Sequence, residues 1–400
     1  MQITGVNKNF DVEVDLVGSK SESNRVLMIG YYGGFTPRVK NLSTSDDTKL
    51  LNEILLTLNN PKNPKNPKDP KAPTILNCAN AGTVLRFLAT ALAFREGEWI
   101  LTGSDRMLQR PVGDLVDALR TMGANIEYVG EQGFPPLMIH GKNHVETFPE
   151  TSPIHVDITN SSQFGSSILL AKPSHIHLDG DLSSLPYIDM TIDIMCHFSA
   201  HVKRDGRDIF VQPSDYQDVE YTVESDWTCA SYWYEMVAFS ENGRARLHNL
   251  HLGSKQGDAI VAKWFEQFGV KSIQDDDDVV IVRTDRVCPR LNDCDNAYTF
   301  DFINNPDLYP TIAATCAGLG VEGDFKGLRN LKLKESDRVA AMTTELAKIN
   351  KFDSHNDHRI AMALAPLAMK IGAIEIDNAD VVSKSYPNFW QEFKKITPNR

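Results

Sequence analysis

Apolar residues recur along this chain in two helical patterns, and the two alternate. The first is amphipathic. An Asp or Ser-Asp opens each of five segments, and in four of them the apolar positions return at helical spacing: SDDTKLLNEILLTL from Ser45, DLVDALRTMGANIEYV from Asp114, DMTIDIMCHFSAHVKR from Asp189, DAIVAKWFEQFGVKSI from Asp258 and SDRVAAMTTELAKI from Ser336. These starts lie about 70 to 80 residues apart, and β-branched runs such as Ile126 to Val129 follow some of them, so the unit reads as helix then strand. The second pattern opens on small or polar residues and then turns apolar on every face. It begins at Ser23, Asn80, Ser161, Thr228, Asp307 and Asn356, six starts in all. A helix apolar all round is a buried helix. Each repeat therefore pairs one inner with one outer helix.

Two intervals break the period. PKNPKNPKDPKAP, Pro61 to Pro73, has no apolar face and predicts an extended surface loop over about 60–73. Between Ser336 and Asn356 only about twenty residues separate the outer helix from the next inner one. A strand pair or hairpin is expected to be missing there.

Four hundred residues exceed what one hydrophobic core usually organises, so two domains or a repeat architecture is expected. The chain is 42% hydrophobic and 24% charged, and no apolar run approaches the roughly 20 residues that cross a bilayer. The start, MQITGVNKNF, lacks the basic and apolar segments of a secretory signal, which predicts a cytoplasmic, non-membrane protein. Six cysteines are scattered without a CxxC, and Cys78, Cys196, Cys229 and Cys316 read as reduced, buried small hydrophobes. His355 and His358 have helical spacing but no third ligand, so no metal site is expected. The acidic run Asp275 to Asp278 reads as a solvated turn between strands.

A net charge of -12 argues against nucleic acid or anionic lipid as a partner. Anions would have to be bound locally. Inner-helix amino termini offer unpaired N–H groups for that purpose. In VGSKSESNR, Lys20, Ser21 and Arg25 cluster at such a start; in NAGTVLR, Gly82 and Thr83 precede Arg86; in NSSQF, Ser161, Ser162 and Gln163 supply neutral donors.

With these motifs in place the chain resembles the enolpyruvyl transferase family, in the branch whose acceptor is shikimate 3-phosphate. GSKSESNR, NAGT with Arg86, DRMLQRP around Arg110, NSSQF, GDLSSLPYIDMT, PDLYPT, NLKLKESDR, HNDHR and SKSYP carry the resemblance from end to end. It implies a two-domain, inside-out α/β barrel built from six βαβαββ-like repeats, with the active site in the interdomain cleft. One domain would span 20–224, the other 1–19 plus 225–400. The six inner-helix starts agree with that count independently.

The resemblance implies transfer of the enolpyruvyl group of phosphoenolpyruvate to the 5-hydroxyl of shikimate 3-phosphate by addition and elimination, in the route to chorismate and the aromatic amino acids. It implies a monomer with no cofactor. Lys20, Ser21, Arg25, Ser161, Ser162, Gln163, Ser184, Asp307, Asn330 and Lys334 match shikimate 3-phosphate ligands. Lys20, Gly82, Arg110, Gln163, Arg338, Arg359 and Lys384 match phosphoenolpyruvate ligands. Asp307, Glu335 and Lys20 match catalytic positions, Glu335 as acid and Asp307 as base. Such chemistry needs converging cations to bring two polyanions together, and an acid and base flanking the reacting atoms. Two alternatives differ in class. The sister transferase acting on UDP-N-acetylglucosamine uses a loop cysteine near the position of Arg110, whereas DRMLQRP has none. A non-catalytic phosphate-binding scaffold would not need Lys20, Asp307, Glu335 and Lys384 together.

Overall fold

The computed structural model describes residues 1–59, 72–142, 152–284 and 298–397. Most of the Pro/Lys-rich stretch lies outside them. Among the described residues the α-helices are α1 (Lys20–Gly33), α2 (Asp46–Asn59), α3 (Gly82–Ala93), α4 (Gly113–Thr121), α5 (Ser162–Leu170), α6 (Pro186–His197), α7 (Trp227–Phe239), α8 (Val261–Trp264), α9 (Tyr309–Leu319), α10 (Arg338–Leu346), α11 (His358–Leu364), α12 (Ala368–Ile371) and α13 (Phe389–Phe393). The apolar pattern forms α1, α3, α5, α7, α9 and α11, and in α7 and α11 every residue is buried. The amphipathic pattern leaves one buried stripe, as in α2, where Leu51, Ile54, Leu55 and Leu58 point inward. Among the described residues no helix is long and apolar enough to cross a membrane.

Sheet order repeats with the helices. Thr74–Asn77 pairs in parallel with Gly97–Thr102, which continues antiparallel to Leu137–Gly141 and then Asn125–Tyr128. The same order joins Ile154–Asp157, His175–Asp179, Asp208–Gln212 and His201–Asp205. It recurs for Asn9–Val14, Asn242–Leu247, Asp278–Arg283 and Val270–Asp275. Among the described residues three further sheets are shorter. Tyr221–Thr222 pairs with Val39–Lys40, Tyr298–Asp301 with Gly323–Lys326, and Lys351–Asp353 with Ile374–Asp377, the last extended by Gln2–Ile3. Chain passes from α10 to Lys351 without a hairpin, at the interval where the sequence lacked one.

A local device turns strand into inner helix. Asn77, Asp157, Asp301 and Asp353 each end a first strand, and each side-chain oxygen accepts the backbone N–H two residues on, at 2.7 to 2.9 Å. Such turns reverse the chain without leaving that N–H unpaired. Caps then start the helices: Ser161 for α5, Asp226 for α7 and Asp357 for α11.

Two expectations need correction. The segment from Asp258 is a broken helix, with a 3₁₀ turn on either side of the short α8. Trp264 packs edge-on against Phe300 and Phe302, and Phe268 stacks on Tyr298. Docking these rings outweighs the modest propensity of a stretch carrying Ile260, Val261 and Phe265. Cys196 is exposed, whereas Cys78, Cys229 and Cys316 are buried. The buried stripe of α6 runs through Ile188, Thr191, Ile194 and Met195, and Cys196 falls just off it. Burial pushes the thiols of Cys78 and Cys316 up to about 12, so they are inert core groups.

The two compact units are Met1–Lys20, Asn41–Asp46 and Val223–Arg400 in one, and Ser21–Lys40 and Asp47–Thr222 in the other. The first has Trp227, Trp233, Tyr232 and Phe265 at its centre. Inside it lies Glu235 of α7, fully buried, with neither carboxylate oxygen hydrogen-bonded among the described residues. Burial raises this carboxyl well above the usual range, so it stays protonated. The folded state then keeps a proton that the unfolded chain releases, and stability falls as pH rises above about 4.3. Glu235→Met removes that cost, which grows by about 1.4 kcal/mol per pH unit while the folded carboxyl keeps its proton, and is expected to stabilise by up to about 5 kcal/mol at pH 8. Urea unfolding at pH 6 and pH 8 should show the gain growing with pH; a pH-independent gain would argue against the neutral carboxyl.

Candidate active site

In the first unit a 3₁₀ turn, Pro306–Leu308, places Asp307 just ahead of α9. Its Oδ1 accepts from Arg338 Nη1 at 2.7 Å and faces Lys334 Nζ at 3.5 Å, while its Oδ2 accepts from Arg359 Nη2 at 2.8 Å. Burial alone would raise the carboxyl, but Arg359, Lys334 and Arg338 together hold it well below the usual range. Glu335 shares the same arginine. Its Oε2 accepts from Arg338 Nη2 at 2.9 Å, and its Oε1 lies 3.7 Å from Lys384 Nζ.

Arg338 is 1% exposed and is held from behind. Asp357 receives its Nε at 2.8 Å and its Nη2 at 3.3 Å, and also accepts from Ser336 Oγ and from the backbone N–H of Arg359. One carboxylate thus caps α11 and anchors the arginine between the two predicted catalytic carboxylates. Asp357 was not among the predicted site residues; its signal was the HNDHR motif itself, an N-cap followed by a buried helix. Neighbouring His358 is buried, and burial together with Arg359 and Lys20 pushes it well below its usual range, so it is neutral.

Lys20 opens α1, and its backbone N–H reaches Asp226 Oδ2 at 3.3 Å, beside the start of α7. Asn330 lies in the 3₁₀ turn Arg329–Leu333, and Lys334 follows it directly. The unit therefore brings Lys20, Asp307, Asn330, Lys334, Glu335, Arg338, Arg359 and Lys384 into one body.

The second unit gathers the remaining predicted residues. Ser161 caps α5 by accepting from the backbone N–H of Gln163 at 3.3 Å, and Ser162 is buried in the first turn. Gln163 is oriented at both ends: Oε1 accepts from Arg86 Nη1 at 2.6 Å and Nε2 donates to Thr83 Oγ1 at 2.9 Å. Arg86, not assigned to the site from sequence, is thus what aims it. Ser184 sits in the left-handed region at φ 55° ahead of α6. Arg110 is buried and donates to Asn80 O, and its guanidinium occupies the space that a side chain on Gly82 would need, 2.9 Å from an added Cβ. Absence of a Cβ at Gly82 is therefore what seats Arg110 against the start of α3.

Arg25 is tied to three helices of the second unit. Its Nε donates to Thr191 Oγ1 at 2.7 Å, Nη1 to Ser21 O at 2.8 Å, and Nη2 to Ser166 Oγ and Tyr187 O at 3.1 Å each. Phe87 lies under the guanidinium at 5.7 Å. Arg25 therefore also clamps α1 to α5 and α6.

The chain matches the model of the EPSP synthase (3-phosphoshikimate 1-carboxyvinyltransferase) family over residues 6–351 and 349–393. It is 35% identical over 412 residues to the 3-phosphoshikimate 1-carboxyvinyltransferase of Bacteroides fragilis strain YCH46, covering 96% of this chain and 94% of the relative. The chain belongs to the EPSP synthase family. It is also 33% identical over 426 residues to the enzyme of the same name from Vibrio cholerae serotype O1 strain M66-2, covering 96% of both chains. The fold agrees. The structure of EPSP synthase from Acinetobacter baumannii superposes with a TM-score of 0.72 over 99% of this chain and 98% of that one, at 21% identity.

Proposed function

We propose that this chain performs the family reaction with the residues gathered in its two units: the enolpyruvyl group of phosphoenolpyruvate passes to the 5-hydroxyl of shikimate 3-phosphate, releasing phosphate. One observation carries the assignment of the chemistry. Two acidic side chains, Asp307 and Glu335, share one buried arginine inside a ring of further cations, Lys334, Arg359 and Lys384. Substrate phosphates and carboxylates compete for those cations, freeing the carboxyls for proton transfer as the negative charges arrive.

In the addition, Glu335 delivers a proton to the methylene carbon, the 5-hydroxyl oxygen bonds to the central carbon, and Asp307 takes the hydroxyl proton. In the elimination, the methyl group returns a proton to a carboxylate as the carbon–oxygen bond to phosphate breaks. Lys20 lies close enough to this group for its charge to act on His358, and stabilises the developing negative charge. Ser21, Arg25, Ser161, Ser162, Gln163 and Ser184 of the second unit, with Asn330 and Lys334 of the first, hold shikimate 3-phosphate. Gly82, Arg110, Gln163, Arg338, Arg359 and Lys384 hold phosphoenolpyruvate. Each unit has the makings of an inside-out α/β barrel, supported by helices buried on all sides and the repeated sheet order. The protein acts in the cytoplasm as a monomer.

Phosphate release from phosphoenolpyruvate tests the whole reading. It should require shikimate 3-phosphate and should not occur with UDP-N-acetylglucosamine; the reverse pattern would move the chain to the sister activity. Gly82→Ala tests the second ligand set. The new methyl displaces the Arg110 guanidinium, and losing one charge-assisted contact costs about 1.5 to 3 kcal/mol, so KM for phosphoenolpyruvate should rise roughly tenfold to a hundredfold. Affinity for shikimate 3-phosphate by calorimetry should stay within about twofold, since that ligand makes no assigned bond to Arg110. An unchanged KM for phosphoenolpyruvate would remove Arg110 from its site.

A further inference from the structure

We propose that Asp258, which belongs to neither ligand set, is a positioning residue for Asp307: a second carboxylate that fixes the turn bearing the base and raises its appetite for a proton. This rests on the reading of Asp307 as the base. Asp258 lies in the 3₁₀ turn Gly257–Ile260 and is buried. Its Oδ2 accepts from Thr228 Oγ1 in the first turn of α7, and its Oδ1 accepts from Asn305 Nδ2 at 3.2 Å. Asn305 immediately precedes the turn Pro306–Leu308 that carries Asp307. Asp258 thereby ties that turn to α7.

Charge adds to position. Asp307 is gripped by three cations, and a carboxylate so stabilised is a weak base. A negative charge behind it acts the other way. Thr228 and Asn305 are neutral donors, so they hold the Asp258 charge without cancelling it. The charged groups that act most strongly on Asp258 are Asp307 and, from α11, Arg359. Burial and Asp307 push the Asp258 carboxyl up to about 6, against the opposing pull of Thr228, Arg359 and Asn305. Above that pH Asp258 is ionised and supports Asp307; below it the support disappears.

The pH dependence of kcat tests this, because a merely structural Asp258 would not move it. Wild-type kcat should fall off below about pH 6, following Asp258. Asp258→Asn should lower kcat at pH 7.5 roughly tenfold, as expected of a weaker base, and abolish that acid limb, with both KM values within about twofold. Asp258→Glu should restore the limb. An Asp258→Asn enzyme that keeps the wild-type limb overturns the proposal. If that variant does not fold, Thr228→Val serves instead: losing a donor to the charged form should move the limb up by roughly half to one pH unit, and an unmoved limb is equally fatal. A wild-type protein with no turnover at all would sink the activity reading itself, a result distinct from an active enzyme with an unmoved limb.

Discussion

Glu335→Gln is expected to lower kcat by about 10² to 10⁴ while leaving both substrates bound. The amide keeps the size of the side chain and can still accept from Arg338, whose Nη2 lies 2.9 Å from the native Oε2. It cannot give a proton to carbon and take it back. Addition and elimination both pass through that transfer, so the variant should also fail to exchange solvent deuterium into the methylene of phosphoenolpyruvate where the wild type does. Binding, read by calorimetry, should change little because Lys334, Arg359 and Lys384 remain. Near-normal turnover with normal deuterium exchange would reduce Glu335 to a partner of Arg338 and send the acid role elsewhere.

Arg338→Met should damage both stability and turnover. Methionine roughly preserves the buried volume, but Asp357, Asp307 and Glu335 lose the cation they share. Removing one partner of a buried charge set leaves the others uncompensated, at a cost of about 3 to 5 kcal/mol. The loss has a predictable pH dependence. In the wild type the Asp307 carboxyl is held well below the usual range, so it contributes stability above the unfolded value of about 4 and loses it as pH falls through the folded value. Without Arg338 that depression is weaker. The gap between wild type and variant should therefore be widest above about pH 5 and narrow as pH falls below about 4. Urea denaturation across that range measures it, and a gap that did not narrow in acid would mean that packing, not charge, is what Arg338 supplies. Turnover should drop by about 10² to 10³, because a preorganised cation facing developing charge is lost.

What the sequence determined by itself is what depends on neighbours along the chain. Helical spacing marked the buried helices, because a helix with apolar residues on every side cannot face water, and Trp227–Phe239 carries such residues all round, with Thr228, Ser231 and Glu235 as its few polar interruptions. Capping chemistry marked their starts, so Ser161 was legible as a helix entrance before its bond to Gln163 was seen. The short interval after Ser336 announced the missing hairpin. Residue types supplied the acids, bases and cations.

Only the tertiary structure decided which of those groups meet. Arg338 reaches Asp307 across 31 positions and Asp357 across 19, and Arg359 reaches Asp307 across 52. Spacing along a chain carries no record of such pairings, which arise when the starts of separate helices, α9, α10 and α11, pack side by side. The same holds for Asn9–Val14, which completes a sheet with Asn242–Leu247, and for Asp258, whose partners Thr228 and Asn305 lie on other elements. Cys196 and the broken helix after Asp258 show the limit from the other side. Local pattern predicted burial and regularity, but the packed surfaces left Cys196 off the stripe of α6 and bent the backbone to seat Trp264 and Phe268. Periodicity reports what a segment can bury; the free energy of packing, summed over contacts distant in sequence, selects which side chains are buried and which charges are paired.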